Sequence, residues 1–208
     1  MLTPRIFIFI SLCFSLFSSE ATHLFDSTGD RFIKLDVHGA PTSEAAASWD
    51  CVLDRKTALI WEVKTTFGLR DRANTYTWYK NGLSINSGSA GIRNGGRCKE
   101  SNCDSQAYID SVNRRELCSF HNWRLPTREE LRSLINYQSR PPRASIDMDY
   151  FPHTVPQFYW SANSDANNPD SAWGIGFTFG YDYSYFKSDL GYVRLVSTGS
   201  FGDELDVD

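Results

Sequence analysis

Nothing in this 208-residue sequence is apolar for long enough to cross a bilayer. The greasiest run, Ile6 to Phe17, falls short of the roughly 20 residues that a spanning helix needs, and no second run follows it. Histidine is scarce, and no two of His23, His38, His121 and His153 share a metal-binding or catalytic spacing. Gly-x-Ser-x-Gly and His-Glu-x-x-His are both missing, and the glycine-rich stretch at residues 81–97 lacks the Gly-Lys-Ser/Thr of a phosphate loop. These absences argue against the familiar hydrolase, metalloprotease and nucleotide chemistries. The expectation is a protein that is not an enzyme and carries no cofactor. A basic excess is also lacking. The net charge is −4, which excludes a generally basic nucleic-acid footprint. The charge is nonetheless uneven: residues 93–143 carry ten Lys/Arg against six Asp/Glu, and residues 144–208 carry two against ten. Any polyanion would therefore have to meet the middle segment.

What is present first sets the compartment. Arg5 precedes the apolar run, and Ser19 and Ala21 supply small residues at −3 and −1, the order of a secretory signal peptide over residues 1–21. Leu12 stands before Cys13 where a lipoprotein would need a small residue, so Cys13 reads as part of the run. Residues 22–197 are expected to form a single domain, with no transmembrane anchor, and residues 198–208 an acidic tail. Four cysteines remain: Cys51, Cys98, Cys103 and Cys118. In an exported chain an even number implies two disulfides, with three possible connectivities. The preferred pairing is Cys98 with Cys103, closing a small loop, and Cys51 with Cys118, tying the N-terminal strands to a helix end. C-x4-C with a lone Cys on each side is poor zinc spacing.

Asp30 to Asp36 alternates as a short strand. Trp49–Leu53 and Leu59–Val63 flank a turn and read as a hairpin, although Ala58 is an unhelpful turn residue. Residues 81–97 hold five glycines and read as a long, flexible surface loop. Asp104 can cap a helix whose face is Tyr108, Ile109 and Val112. Thr127-x-x-Glu130 is a capping box opening a second helix that buries Leu131, Leu134 and Ile135. From Tyr159 onward the period becomes two. Trp173 to Phe179, Tyr181 to Tyr185 and Tyr192 to Val196 fit an antiparallel meander. Strands, then helices, then strands make an α+β class.

Several stretches are familiar as a series: Cys51-Val52-x-Asp54-x-x-Thr57-x-Leu59-Ile60-Trp61-Glu62-Val63-Lys64, Gly68-Leu69-Arg70-Asp71 and Thr75-Tyr76-Thr77-Trp78-Tyr79. Trp123-Arg124-Leu125-Pro126-Thr127-x-x-Glu130-Leu131, Ile146-Asp147-x-x-Tyr150-Phe151-Pro152, Tyr159-Trp160-Ser161 and Val193-Arg194-Leu195-Val196 continue it. The series resembles the Lcl C-terminal domain family, from about residue 30 to residue 197. The resemblance implies a C-type-lectin-like fold, two helices packed on antiparallel strands and stapled by disulfides. It also implies a trimeric adhesion module that binds sulfated glycosaminoglycans.

Candidate ligand-binding residues fall in two groups. Arg124 and Arg128, with Arg132 one helical turn beyond Arg128, could present a cationic ridge to sulfate or carboxylate; the plainer reading pairs them with Glu129, Glu130 or nearby Asp residues. Trp173, Tyr181, Tyr183 and Tyr185, followed by Lys187, could form a platform on which sugar rings stack. Phe177 and Phe179 read as core instead. Asn167-Asn168-Pro169-Asp170 invites a calcium reading, yet calcium needs six to eight oxygens and a turn explains these residues more simply; no metal is expected. The function expected is therefore an exported recognition or adhesion module for a glycan or an extracellular protein, secreted, periplasmic or held at the cell surface. The alternatives are a structural envelope protein-interaction module, and an oxidase of the formylglycine-generating type using Cys98 and Cys103.

Overall fold

The computed structural model describes residues 30–82, 86–139 and 141–199. The proposed signal peptide at residues 1–21 and all of the proposed acidic tail at 198–208 except Thr198 and Gly199 lie outside them.

β1 (Phe32–Leu35), β2 (Cys51–Asp54) and β3 (Leu59–Glu62) pair in sequence order as antiparallel neighbours, and β7 (Val196–Ser197) joins the far side of β3. The β2–β3 turn places Ala58 at φ +56°, a left-handed conformation that glycine adopts without cost and a Cβ resists. Both faces of this sheet are covered. One packs Leu35, Cys51, Leu53 and Ile60 against Tyr108 and Val112; the other packs Val52, Leu59 and Trp61 against Leu131, Ile175 and Phe177. That double burial is why β2 and β3 are apolar runs rather than alternating ones.

α1 (Ser105–Arg114) begins where expected, with Asp104 accepting from the Ala107 N–H at 2.9 Å. α2 (Arg128–Ser133) opens with the full capping box: Glu130 N–H donates to Thr127 Oγ1 and Thr127 N–H to Glu130 Oε2. It is shorter than its apolar pattern suggests. Leu134 and Ile135 follow the helix yet still turn inward, Leu134 fully and Ile135 in part. Both expected disulfides form, Cys51–Cys118 and Cys98–Cys103, with Cα separations of 6.6 and 5.4 Å.

β4 (Phe158–Ser164), β5 (Ser171–Gly176) and β6 (Tyr181–Phe186) make a second antiparallel sheet. This corrects one expectation. The stretch Tyr192–Val196 is not the meander's last strand: Tyr192 bridges Tyr159, and the chain then crosses to close on β3. The glycine-rich stretch lies at the surface as expected, but in its described part it is pinned at two positions. A Cβ on Gly91 would lie 2.1 Å from the Trp78 carbonyl oxygen, and one on Gly96 2.3 Å from that of Thr75. Glycine is there for close backbone approach.

Candidate ligand-binding face

Register decides which side chains share a surface. On β6, Tyr185, Tyr183 and Tyr181 stand opposite Ala172, Gly174 and Gly176 of β5, whereas Ser184 and Asp182 stand opposite Trp173 and Ile175. Opposed residues share a face, so the three tyrosines project on one side and Trp173 on the other. The four-residue platform expected from the sequence is therefore split, and Trp173 leaves it.

On the tyrosine face, small residues of β5 form a floor. A Cβ on Gly176 would come within 2.8 Å of the Tyr183 ring, and one on Gly174 within 2.5 Å of Phe158. The rings lie down because glycine lets them. Tyr183 and Tyr185 stack at 5.8 Å with planes 23° apart, and Tyr185 meets Phe158 at 4.5 Å. Tyr181 stacks on Phe179 at 6.2 Å. Even so, Tyr181 is 62 % exposed, Tyr183 36 % and Tyr185 40 %. Phe179, expected in the core, is half-exposed as well, because β5 ends at Gly176 and Phe179 belongs to the turn into β6; Phe177 is buried as expected. Beside the rings lies a cleft of about 240 Å³, bounded by Tyr183, Tyr185, Gln157, Thr178 and Leu190. Gln157 and Leu190 line this cleft and were missed, whereas Phe186, opposite Ser171, is exposed on the other face. Single polar or apolar residues in loops carry no periodic signal; only the aromatic alternation of β6 does.

The cationic candidates behave differently. Arg124 donates two 2.7 Å hydrogen bonds to the Glu130 carboxylate, which also accepts from the Thr127 N–H. Burial works to raise the Glu130 carboxyl, but the Arg124 and Thr127 bonds outweigh it and hold the group below its ordinary value. Arg-Leu-Pro-Thr-x-x-Glu is thus a lock on the start of α2. Leu125 is buried, the Pro126 carbonyl accepts from Ala162 N–H, and Arg124 exchanges backbone bonds with Val196. Arg128 sits 5.0 Å over the Trp173 ring and pairs with Glu129 and Asp182; Arg132 also pairs with Asp182. The ridge is neutralised by local carboxylates, the plainer of the two readings. Lys187 is no surface cation: it is 1 % exposed, and its ammonium donates to the carbonyls of Asn86, Ser89 and Pro169 at 3.0, 2.7 and 2.6 Å while sitting 4.5 Å over Trp78. Burial lowers its pKa. Lys187 fastens two loops together.

Asn167–Asp170 is a turn stabilised from within, the Asn168 side chain accepting from Asp170 N–H and donating to Ser171 Oγ. All four cysteines are bridged, so neither Cys98 nor Cys103 is a free thiol. Among the described residues no helix is long and apolar enough to cross a membrane.

One cluster gave no sequence signal. Glu62, Lys64 and Tyr108 are buried together, with Lys64 Nζ 2.9 Å from both Glu62 Oε1 and the Tyr108 hydroxyl. Tyr108 also donates to Glu62, whose other oxygen accepts from Leu195 N–H at 2.9 Å. Burial pushes Lys64 down, with Glu62 opposing, and pushes Tyr108 well up. Glu62 and Lys64 are near neighbours in sequence, but Tyr108 lies 44 residues beyond Lys64 and joins them only on folding. The loop after Lys64 carries Phe67, 74 % exposed between clefts of about 310 and 460 Å³. Its base is fixed by Arg70, which donates to the Asp50 and Val63 carbonyls.

The family model described as the Lcl C-terminal domain matches residues 50–197. No curated protein matches the chain.

Proposed function

The chain belongs to the Lcl C-terminal domain family, and from that premise we propose that it is an exported recognition module that binds a glycan through the tyrosine face of β6. The proposed signal peptide at residues 1–21 carries it into an oxidising compartment, where two disulfides persist and stiffen a C-type-lectin-like frame. The protein then acts in the periplasm, outside the cell or at its surface. One observation carries the reading: three half-open tyrosine rings rest on a glycine and alanine floor beside a cleft, at the edge of a sheet that needs none of them for its core. A tyrosine ring offers an apolar face to the C–H groups of a sugar and a hydroxyl to its oxygens. Exposed aromatic surface of this kind marks a contact site. The binding set is Tyr181, Tyr183 and Tyr185, joined by Phe179 and Gln157; Lys187 and Trp173 serve the fold instead.

The test is a glycan array probed with the purified, oxidised protein, with and without calcium. Replacing Tyr181, Tyr183 and Tyr185 together by Ala should reduce capture at least tenfold while the circular dichroism of the folded protein is unchanged, and chelating calcium should have no effect. Undiminished capture by the folded triple variant sinks the proposal.

A further inference from the structure

β6 is the open edge of its sheet, and its backbone says which groups face outward. The Lys187 N–H donates to the Asp170 carbonyl at 2.7 Å, so that pair and every second one along the ladder exchange hydrogen bonds across β5 and β6. Tyr185, Tyr183 and Tyr181 therefore direct their backbone groups inward. The N–H and C=O groups of Asp182 and Ser184 point at the open edge. The Phe186 N–H, next in the outward set, is taken by Asp189 at 3.1 Å, which closes that end. Among the described residues no strand or isolated bridge pairs with the outer side of β6. Native edges are ordinarily blunted by Lys, Pro or a bulge. Tyr181–Phe186 holds neither Lys nor Pro, its one charge, Asp182, is paired with Arg128 and Arg132, and its pairing with β5 is regular throughout.

The order Tyr-Asp-Tyr-Ser-Tyr is nearly palindromic about Tyr183, and this decides which partner fits. Placed antiparallel to itself with Tyr183 at the centre, β6 sets Asp182 opposite Ser184 and Ser184 opposite Asp182. Those are the residues with free outward backbone groups, so the two pairs complete four hydrogen bonds. Tyr181 meets Tyr185, Tyr183 meets its own copy, and the charged position meets a hydroxyl residue, so no like charges oppose. Cross-strand aromatic pairs of this kind are stabilising. We propose that β6 pairs with β6 of a second copy of this chain, making a two-fold dimer with one continuous six-stranded sheet. A two-fold contact uses the same patch on both copies and closes upon itself. The pairing uses the strand's edge and leaves the tyrosine face open, so the dimer does not rest on the glycan reading. It would set the two tyrosine rows side by side.

Cysteine cross-linking reads the register directly. Tyr183 of each copy occupies a non-hydrogen-bonded position, where Cα atoms lie about 4.5 Å apart, within disulfide reach. Under mild oxidation Tyr183→Cys should run as a covalent dimer on a non-reducing gel, and Tyr181→Cys alone should remain largely uncross-linked. Mixing Tyr181→Cys with Tyr185→Cys should restore the dimer. Light scattering of the unmodified, oxidised protein should give twice the monomer mass, and Ser184→Pro, which removes one outward N–H per copy, should give the monomer. If Ser184→Pro fails to fold, the cross-linking set stands by itself. A monomer or a trimer in light scattering, or equal cross-linking at positions 181 and 183, overturns the pairing. Loss of glycan capture in a variant that still dimerises would concern only the tyrosine face.

Discussion

β3 and β6 are both aromatic-bearing strands in antiparallel sheets, and they meet opposite fates. Leu59–Glu62 lies inside its sheet with both faces covered, so even Glu62 is buried and must be neutralised by Lys64 and Tyr108. Tyr181–Phe186 lies at an edge over glycine, and four of its residues remain exposed although all four are aromatic. Side-chain type does not decide burial here. The neighbouring strand does: Trp61 is enclosed among Leu131, Ile175 and Phe177, whereas Tyr183 stands opposite Gly174 and lies over Gly176. β3 holds the fold, and β6 presents a surface. Substitutions in the first should therefore cost stability with no direct effect on recognition, and those in β6 the reverse.

The largest expected effect strikes the buried cluster. Lys64→Met leaves the buried Glu62 carboxylate without its hydrogen-bonded cation, with only the charge of Arg194 nearby, a change that costs about 3–5 kcal/mol when a buried pair is broken. The denaturation midpoint of the oxidised protein should fall accordingly at constant slope. Adding Glu62→Gln to Lys64→Met should recover part of the loss, because no carboxylate is then left stranded, while buried Arg194 keeps its bonds to the Glu62 carbonyl and Thr154 but loses the favourable Glu62 charge. If the double variant is as unstable as the single one, the cluster is not held by charge neutralisation.

A smaller effect is expected at the start of α2. The folded-state carboxyl of Glu130 sits below its ordinary value, so its contribution to stability is fully present above the unfolded value and is lost as pH falls through the folded one. Glu130→Gln should cost about 1.5–3 kcal/mol at neutral pH, the range for hydrogen bonds to a charged group. It should also flatten the acid limb of a stability-against-pH curve. An unchanged acid limb would mean that other carboxylates govern acid unfolding.

Legibility in the sequence followed the range of the interactions. Helix starts were readable because a cap is local: Asp104 and Thr127 act within three residues of themselves. The β2–β3 hairpin was readable from its spacing and the number of disulfides from the cysteine count, whereas their pairing was one preference among three connectivities, which the structure bears out. The tyrosine strand was readable from its period, but its membership was not. Whether Trp173 shares a face with Tyr183 depends on a register that no single strand encodes. Lys187 misled for a related reason: a lysine beside an exposed strand looks like a surface cation until three carbonyls from two other loops surround it. The Glu62–Lys64–Tyr108 cluster and the crossing of residues 192–197 between sheets both need long-range pairing, so the sequence could not display them.

The smallest expected effect is the sharpest on the comparison. Tyr181 is the most exposed of the three tyrosines, has Phe179 as its one ring neighbour among the described residues and has no Cβ opposite it on β5. Its removal opens no cavity and strands no polar group, so Tyr181→Ser should shift stability by no more than about 0.5 kcal/mol. Tyrosine does favour strands, and losing that preference and one stacked contact works toward the upper end of that range. Thermal unfolding of the variant checks the value. A loss of 2 kcal/mol or more would show that the ring supports the turn at Phe179, and the tyrosine face would then be a structural element of the second sheet, much as Trp61 is of the first.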